Sequence, residues 1–208
     1  IWPVAGKHLY ASLRCLKIEK TMNQTEILNA VNALAEGKTI AYPTEAVFGV
    51  GCDPDNQQAI ALLLQIKQRE KNKGLILIAA DYAQLQPYID ETAINAEQKQ
   101  RMLASWPGPV TWVVPARAGL SDWLTGQFST IAIRVSDHPL VQQLCRAYGK
   151  PITSTSANLS GQPACRSAAD VQAQLGEKLA VIIDAPTGGR LNPSEIRDVQ
   201  TGHIFRAG

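Results

Sequence analysis

The sequence predicts one α/β domain built on a twisted, mixed open sheet with flanking helices. Three observations carry this expectation. Helical and strand-like patterns alternate from end to end, as they do in layered α/β structures. The strand-like runs outnumber the clean β-α-β crossovers, so some neighbouring strands must be antiparallel. The chain has 208 residues, 45% hydrophobic and 18% charged. That supports a single core and excludes a disordered or fibrous chain.

Each element has a local reason. Thr25 is placed to cap a helix running to about Glu36, with Ile27, Leu28, Val31, Leu34 and Ala35 at helical spacing and Gly37 as its stop. Thr39 to Tyr42 reads as a short strand ending at Pro43, and Asn56 to Ile66 as a helix with a broad apolar face. Leu75 to Ala79 is a buried strand, followed by short helices near 81–88 and 95–104. The β-branched runs Val110 to Val114 and Ile131 to Val135 are strands. Pro139 to Tyr148 is a helix closed by Gly149; Ile152 to Thr155 is a strand, 168–175 a helix and Val181 to Asp184 a strand. Two further short strands are expected at Glu195 to Arg197 and His203 to Arg206.

Composition also excludes function classes. The longest apolar run is Gly74 to Ala80, far short of the ~18 residues of a membrane span. Formal net charge is +2, but residues 1–21 carry +3 (Lys7, Arg14, Lys17 and Lys20 against Glu19), leaving −1 for the rest. The body is therefore not a generally basic nucleic-acid binder. Because Met22 precedes a clean helix start, residues 1–21 are expected to lie upstream of the natural start, with the domain at 22–208. Four cysteines and three histidines are scattered without metal-ligand spacing, which fits reduced thiols in a cytoplasmic protein.

The chain has no P-loop, no G-x-G-x-x-G, no G-x-S-x-G and no H-E-x-x-H. Four polar segments instead fall at strand ends, where open α/β sheets bind ligands. Tyr42 to Gly51 supplies Thr44 and Glu45 after a proline-fixed turn, then Gly49 and Gly51. Lys67 to Lys73 packs four cations and one acid into seven residues, a density suited to polyphosphate. Thr153 to Gly161 offers hydroxyls and an amide. Gly188 to Asp198, with Phe205 to Gly208, places arginines beside glycines and again suggests an anion. Solvated loops and ordinary capped turns would explain each segment separately. Trp106, ahead of Pro107-Gly108-Pro109, reads as a structural anchor.

Together these segments closely resemble the YrdC family. The matching residues, in order, are Tyr42-Pro-Thr-Glu with Gly49-x-Gly51, Lys67-x-Arg69, Trp106-Pro-Gly-Pro-x-Thr111, Arg134-Val135, His138-Pro139, Thr155-Ser-Ala-Asn-x-Ser-Gly161, Pro193-Ser194-x-x-x-Asp198 and Arg206-x-Gly208. The resemblance implies a sheet curved around a large, positively lined cavity. It implies an enzyme that uses L-threonine, bicarbonate and ATP, with Mg²⁺ carried by the ATP, to make threonylcarbamoyl-adenylate and pyrophosphate. A separate transferase would then modify tRNA adenosine 37. No covalent nucleophile is implied. Carried over by motif, Lys67, Arg69, Ser156, Asn158 and Arg206 would hold ATP, and Thr44, Arg134, Thr155 and Ser194 would hold threonine and bicarbonate. The chain departs from the family pattern on the substrate side: Glu70 stands where relatives carry proline, Leu75 to Ala79 lacks their histidine, and Thr44-Glu-Ala-Val-Phe48 replaces Thr-Glu-Thr-Val-Tyr. Two other readings stay open here. One is a non-catalytic module binding tRNA or double-stranded RNA. The other is a carbamoyl-adenylate enzyme like the related domain of the larger hydrogenase-maturation carbamoyltransferases.

Overall fold

The computed structural model describes residues 24–208; the expectation for residues 1–21 lies outside them. A first helix, α1, covers residues 24–35. Thr25 therefore sits inside that helix rather than at its cap. The chain continues through β1 (Ile40–Pro43), β2 (Phe48–Gly51), α2 (Gln57–Lys67), β3 (Ile76–Ala79), α3 (Tyr82–Leu85), α4 (Ala96–Ala104), β4 (Val110–Pro115) and α5 (Asp122–Thr125). It ends with β5 (Thr130–Val135), α6 (Pro139–Tyr148), β6 (Ile152–Ser156), α7 (Ala168–Leu175), β7 (Val181–Ile182), β8 (Glu195–Asp198) and β9 (Ile204–Arg206).

Among the described residues, nine strands form one mixed sheet in the order β7-β1-β2-β6-β3-β5-β4-β8-β9. The β1–β7, β3–β5 and β4–β8 pairs are parallel, and the others antiparallel. The expected mixed sheet is observed. Helix ends follow their capping chemistry: the Asn56 side chain accepts from the Ala59 amide to start α2, and Asn95 and Gln98 form a capping box at α4.

Alternation along the strands divides the side chains between two faces. One face buries Ala41, Leu77, Ala79 and Ile133 against α2, α4, α5 and α7. The other buries Ile40, Tyr42, Ile78 and Ile152 against α1 and α6. Beyond those two helices the second face is not core. There Ile76, Ala132, Arg134, Ser154 and Ser156, in phase with Ile78 and Ile152, line a cavity.

The sequence reading did not foresee β2. Two glycines in Phe48-Gly-Val-Gly51 make it a poor strand by propensity, yet it is central. The glycines are there for the protein itself. The Tyr42 ring lies across the hairpin, and its hydroxyl donates to the Thr153 carbonyl at 3.0 Å. A Cβ on Gly51 would come within 2.1 Å of the Thr153 carbonyl oxygen, and one on Gly49 within 3.1 Å of the Tyr42 ring. Trp106 behaves as anticipated, its indole N–H donating to the Val110 carbonyl at 2.7 Å across the Pro107–Pro109 turn.

Gly51→Ala should destabilise the fold by about 3 kcal/mol, the upper range for overpacking a well-packed interior. Urea denaturation checks this, and a midpoint equal to wild type would refute the packing argument.

Candidate active site

The cavity has a volume of about 470 Å³ and runs across the open part of the sheet from β2 to β9. Five cationic residues line it: Arg69, Lys73, Arg134, Arg190 and Arg206. Among the described residues Glu45 is the one carboxylate in the lining, and it is already neutralised.

Glu45 and Arg134 form a buried ion pair at 2.9 Å, with side chains 5% and 8% exposed. The second carboxylate oxygen accepts from the Ser136 hydroxyl at 2.6 Å and the Asp137 amide at 3.2 Å. Burial alone would raise the Glu45 pKa, but the Arg134 charge and these donors outweigh it and hold the carboxyl below its usual value. Asp137, partly buried and beside Glu45, is shifted upward instead. Its cationic neighbour is Arg190, 3.8 Å away. The loop carrying Glu45 also anchors the segment that closes the cavity, since Gly188 N–H donates to the Thr44 carbonyl and Arg190 N–H to the Glu45 carbonyl, both at 2.9 Å. Gly188 packs tightly there, because a Cβ would stand 3.0 Å from Glu45 backbone atoms and the loop would have to yield by a few tenths of an ångström.

The Lys67-x-Arg69 spacing works through a backbone reversal. Gln68, the non-glycine positive-φ residue of the described chain, sits at φ 50° just after α2. The reversal sends the two cations different ways. Lys67 is buried behind the cavity wall. Its ammonium donates to the Ser156 and Asn158 carbonyls, and to Asn158 Oδ1 at 3.0 Å. Burial, reinforced by the Arg69 charge, brings its pKa down to about 8. Arg69 enters the cavity, where it donates to the Gly74 carbonyl at 3.0 Å and keeps a buried Nε without a partner. Of the remaining cations in that segment, Lys73 lines the cavity. Lys71 leaves it, pairing with Asp122 at 2.6 Å over the Trp123 ring. The seven-residue basic run is therefore not one phosphate cradle.

The other expected residues are gathered at the same place with different freedoms. Thr44, Thr155, Ser156, Ser194 and Arg206 line the cavity. Thr44 donates its hydroxyl to the Val47 carbonyl at 2.6 Å, and so shapes the turn that presents Glu45. Ser194 is buried, with its hydroxyl 2.9 Å from that of Thr111. Arg206 donates twice to the Ser194 carbonyl, at 2.7 and 3.0 Å, and once to its hydroxyl at 3.2 Å. Partial desolvation and the nearby Arg134 charge lower its pKa. Asn158 stands back with Lys67, accepting from the Ser156 hydroxyl at 2.6 Å. Sequence reasoning did not single out Lys73, Ser154 or Arg190 as site residues, although each lay in a segment it had marked. It also left Glu45 without a role. The signal for Glu45 was its place one residue after Thr44 in a loop joining two strands.

A cationic cavity inside a mixed α/β sheet, bounded by loops that offer hydroxyl, amide and guanidinium donors, is suited to anionic ligands. Comparison with known proteins gives the chain's family. The pattern of the Sua5/YciO/YrdC family, described as telomere recombination, matches residues 32–208, and this chain belongs to that family. It is 64% identical over 178 residues to the threonylcarbamoyl-AMP synthase of Serratia proteamaculans, covering 86% of this chain and 94% of that one. It is 60% identical over 179 residues to the protein of the same name from Vibrio cholerae, covering 86% and 95%. Among solved structures, P. abyssi Sua5 complexed with L-threonine superposes with a TM-score of 0.78 at 31% identity. That match covers 83% of this chain and half of Sua5.

The Glu45 carboxylate is held below its usual value of 4.5, so its contribution to stability is complete above that pH and is lost as pH falls through the lowered folded value. Acid unfolding should therefore steepen below about pH 4.5. Glu45→Gln should lack that component and be less stable at neutral pH by about 3–5 kcal/mol, because Arg134 stays buried without its partner. Parallel acid and denaturant titrations test this, and superimposable curves for the two proteins would refute it.

Proposed function

We infer that this chain is a threonylcarbamoyl-AMP synthase, joining L-threonine, bicarbonate and ATP into threonylcarbamoyl-adenylate and releasing pyrophosphate. The observation that carries the reading is the cavity itself: five cationic residues against one carboxylate already committed to Arg134. Such a lining favours ligands that bring several negative charges. The relatives that share about 60% of the sequence carry the name of this enzyme, and the family's Sua5 binds L-threonine.

The chemistry asks little covalent work of the protein. The threonine amine adds to CO₂ with loss of a proton, or condenses with bicarbonate with loss of water, and either route gives a carbamate. The carbamate oxygen then attacks the α-phosphorus of ATP, a new P–O bond forms, and the bond to pyrophosphate breaks. Alignment and charge stabilisation supply the rate enhancement. Arg69 and Lys73, on the cavity wall after α2, receive the triphosphate. Lys67 acts through the Ser156–Asn158 turn that it fastens. Arg206, fixed on Ser194, completes the nucleotide end. On the substrate side Arg134, its charge shared with Glu45, would offer N–H donors to the threonine carboxylate or the carbamate, with Thr44, Thr155 and Ser194 around it.

Mg²⁺ is expected to arrive with ATP as part of the substrate. Among the described residues, no group of three or more His, Cys, Asp or Glu could hold a metal ion, and the donor set of the cavity suits phosphates. The adenylate would pass to a separate transferase that modifies tRNA, and such a hand-off would suit a reaction in the cytoplasm. No described helix is long and apolar enough to cross a membrane. The reading as an RNA-binding module without catalysis is not favoured. Direct contact with tRNA is a further proposal that the hand-off would make useful.

Purified protein should release pyrophosphate from ATP only when L-threonine and bicarbonate are both present; release that ignores either substrate would overturn the reading. Arg69→Ala should lower that rate by about 100-fold or more, the usual effect of removing a charge-stabilising donor. Its circular dichroism should stay native, and a folded Arg69→Ala protein with full turnover would remove Arg69 from the triphosphate site.

A further inference from the structure

The inside of the cavity and its rim differ chemically. The chain has three phenylalanines. Phe48 is fully buried in the core, whereas Phe128 and Phe205 are 50% and 57% exposed. Both exposed rings line the cavity. A lone exposed apolar ring needs no explanation, but two on the lining of one cationic cavity do.

Each ring is tied to a segment that delivers a cation. Phe205 precedes Arg206, whose guanidinium is locked onto Ser194. The Phe205 ring is braced by His203, two residues back on the same side of the extended chain, with centroids 4.9 Å apart and planes at 81°. Phe128 follows Gln127, whose backbone N–H donates to the Asn72 carbonyl at 3.2 Å. It is thus fixed to the loop carrying Arg69 and Lys73. The arrangement suits a ligand with a flat apolar end and a polyanionic end.

We propose that Phe128 and Phe205 form the aromatic platform on which the base of the nucleotide stacks, holding it at the rim while the phosphates reach the arginines inside. The proposal rests on the nucleotide-using reading given above and deepens it. Stacking of this kind depends on the π-face and is indifferent to the phosphates, so base and phosphate contributions separate cleanly.

The test is calorimetric binding of ATP and of inorganic tripolyphosphate to the full chain, as wild type, Phe128→Ala and Phe205→Ala. Both positions are exposed, so both variants should fold, and circular dichroism checks that they do. At least one variant should bind ATP about 5- to 100-fold more weakly, the range that one base–aromatic stack supplies. Tripolyphosphate affinity should stay within about twofold of wild type, and tryptophan at the sensitive position should restore ATP binding. Unchanged ATP affinity in both variants would overturn the platform, as would a parallel loss for tripolyphosphate. Wild type that binds neither ligand would overturn the nucleotide reading as well, so the two failures are distinguishable.

Discussion

A buried carboxylate that cannot lose its partner organises this molecule. Glu45 stands between two strands and touches three other parts of the chain: Arg134 on β5, the Ser136–Asp137 turn after it, and, through its own carbonyl, the Arg190 amide. Two opposite charges at 2.9 Å and less than a tenth exposed are stable there only because the remaining carboxylate oxygen is also satisfied. Removing one member would strand the other in a low-dielectric wall. The pair gives modest net stability for its desolvation, but it fixes where the β1–β2 loop, β5 and the 188–190 segment meet at the cavity wall.

From that junction the rest of the site follows. With Glu45 neutralised by Arg134, the lining keeps Arg69 and Arg206, which donate to uncharged groups, and Lys73 and Arg190, which face Glu70 at 3.9 Å and Asp137 at 3.8 Å. The Tyr42 ring, laid over Gly49 and Gly51, fixes β2 against β6, and β6 presents Ser154, Thr155 and Ser156 to the cavity. Lys67 ties the end of β6 to the end of α2 from behind. The two neighbouring cations are thus placed differently: Lys67 fastens the end of β6 and Arg69 faces the cavity, with one left-handed residue between them. The resemblance to YrdC proteins pointed to both lysine and arginine, but their different burial comes from the turn at Gln68.

Much of the fold was legible in the sequence. The helix Pro139–Tyr148 and the 168–175 helix have the bounds anticipated, because a proline start, a serine cap and a glycine stop are local signals. Strands rich in β-branched residues were found to within a residue or two. What was not legible depended on tertiary contact. Phe48–Gly51 is a strand because a tyrosine ring and a carbonyl fill the space where side chains would be, and no propensity scale holds that information. The Lys67–Lys73 run looked like one phosphate cradle because charge density along the chain does not say which way each side chain leaves the backbone. Lys71 turns to Asp122 and Trp123, and Lys67 to the β6 carbonyls. The sequence left open whether Glu45 is solvated or part of a site, because its partner lies 89 residues further on.

The central claim is that the Glu45–Arg134 pair is coupled tightly enough to hold the site together. A double-mutant cycle measures this directly, using Glu45→Gln, Arg134→Met and the double variant, with stability from urea denaturation for each. The account predicts that either single change costs about 3–5 kcal/mol and that the double variant recovers a large part of the loss, since no uncompensated charge remains buried. Strictly additive losses would contradict it, and would mean that the two residues serve the fold independently.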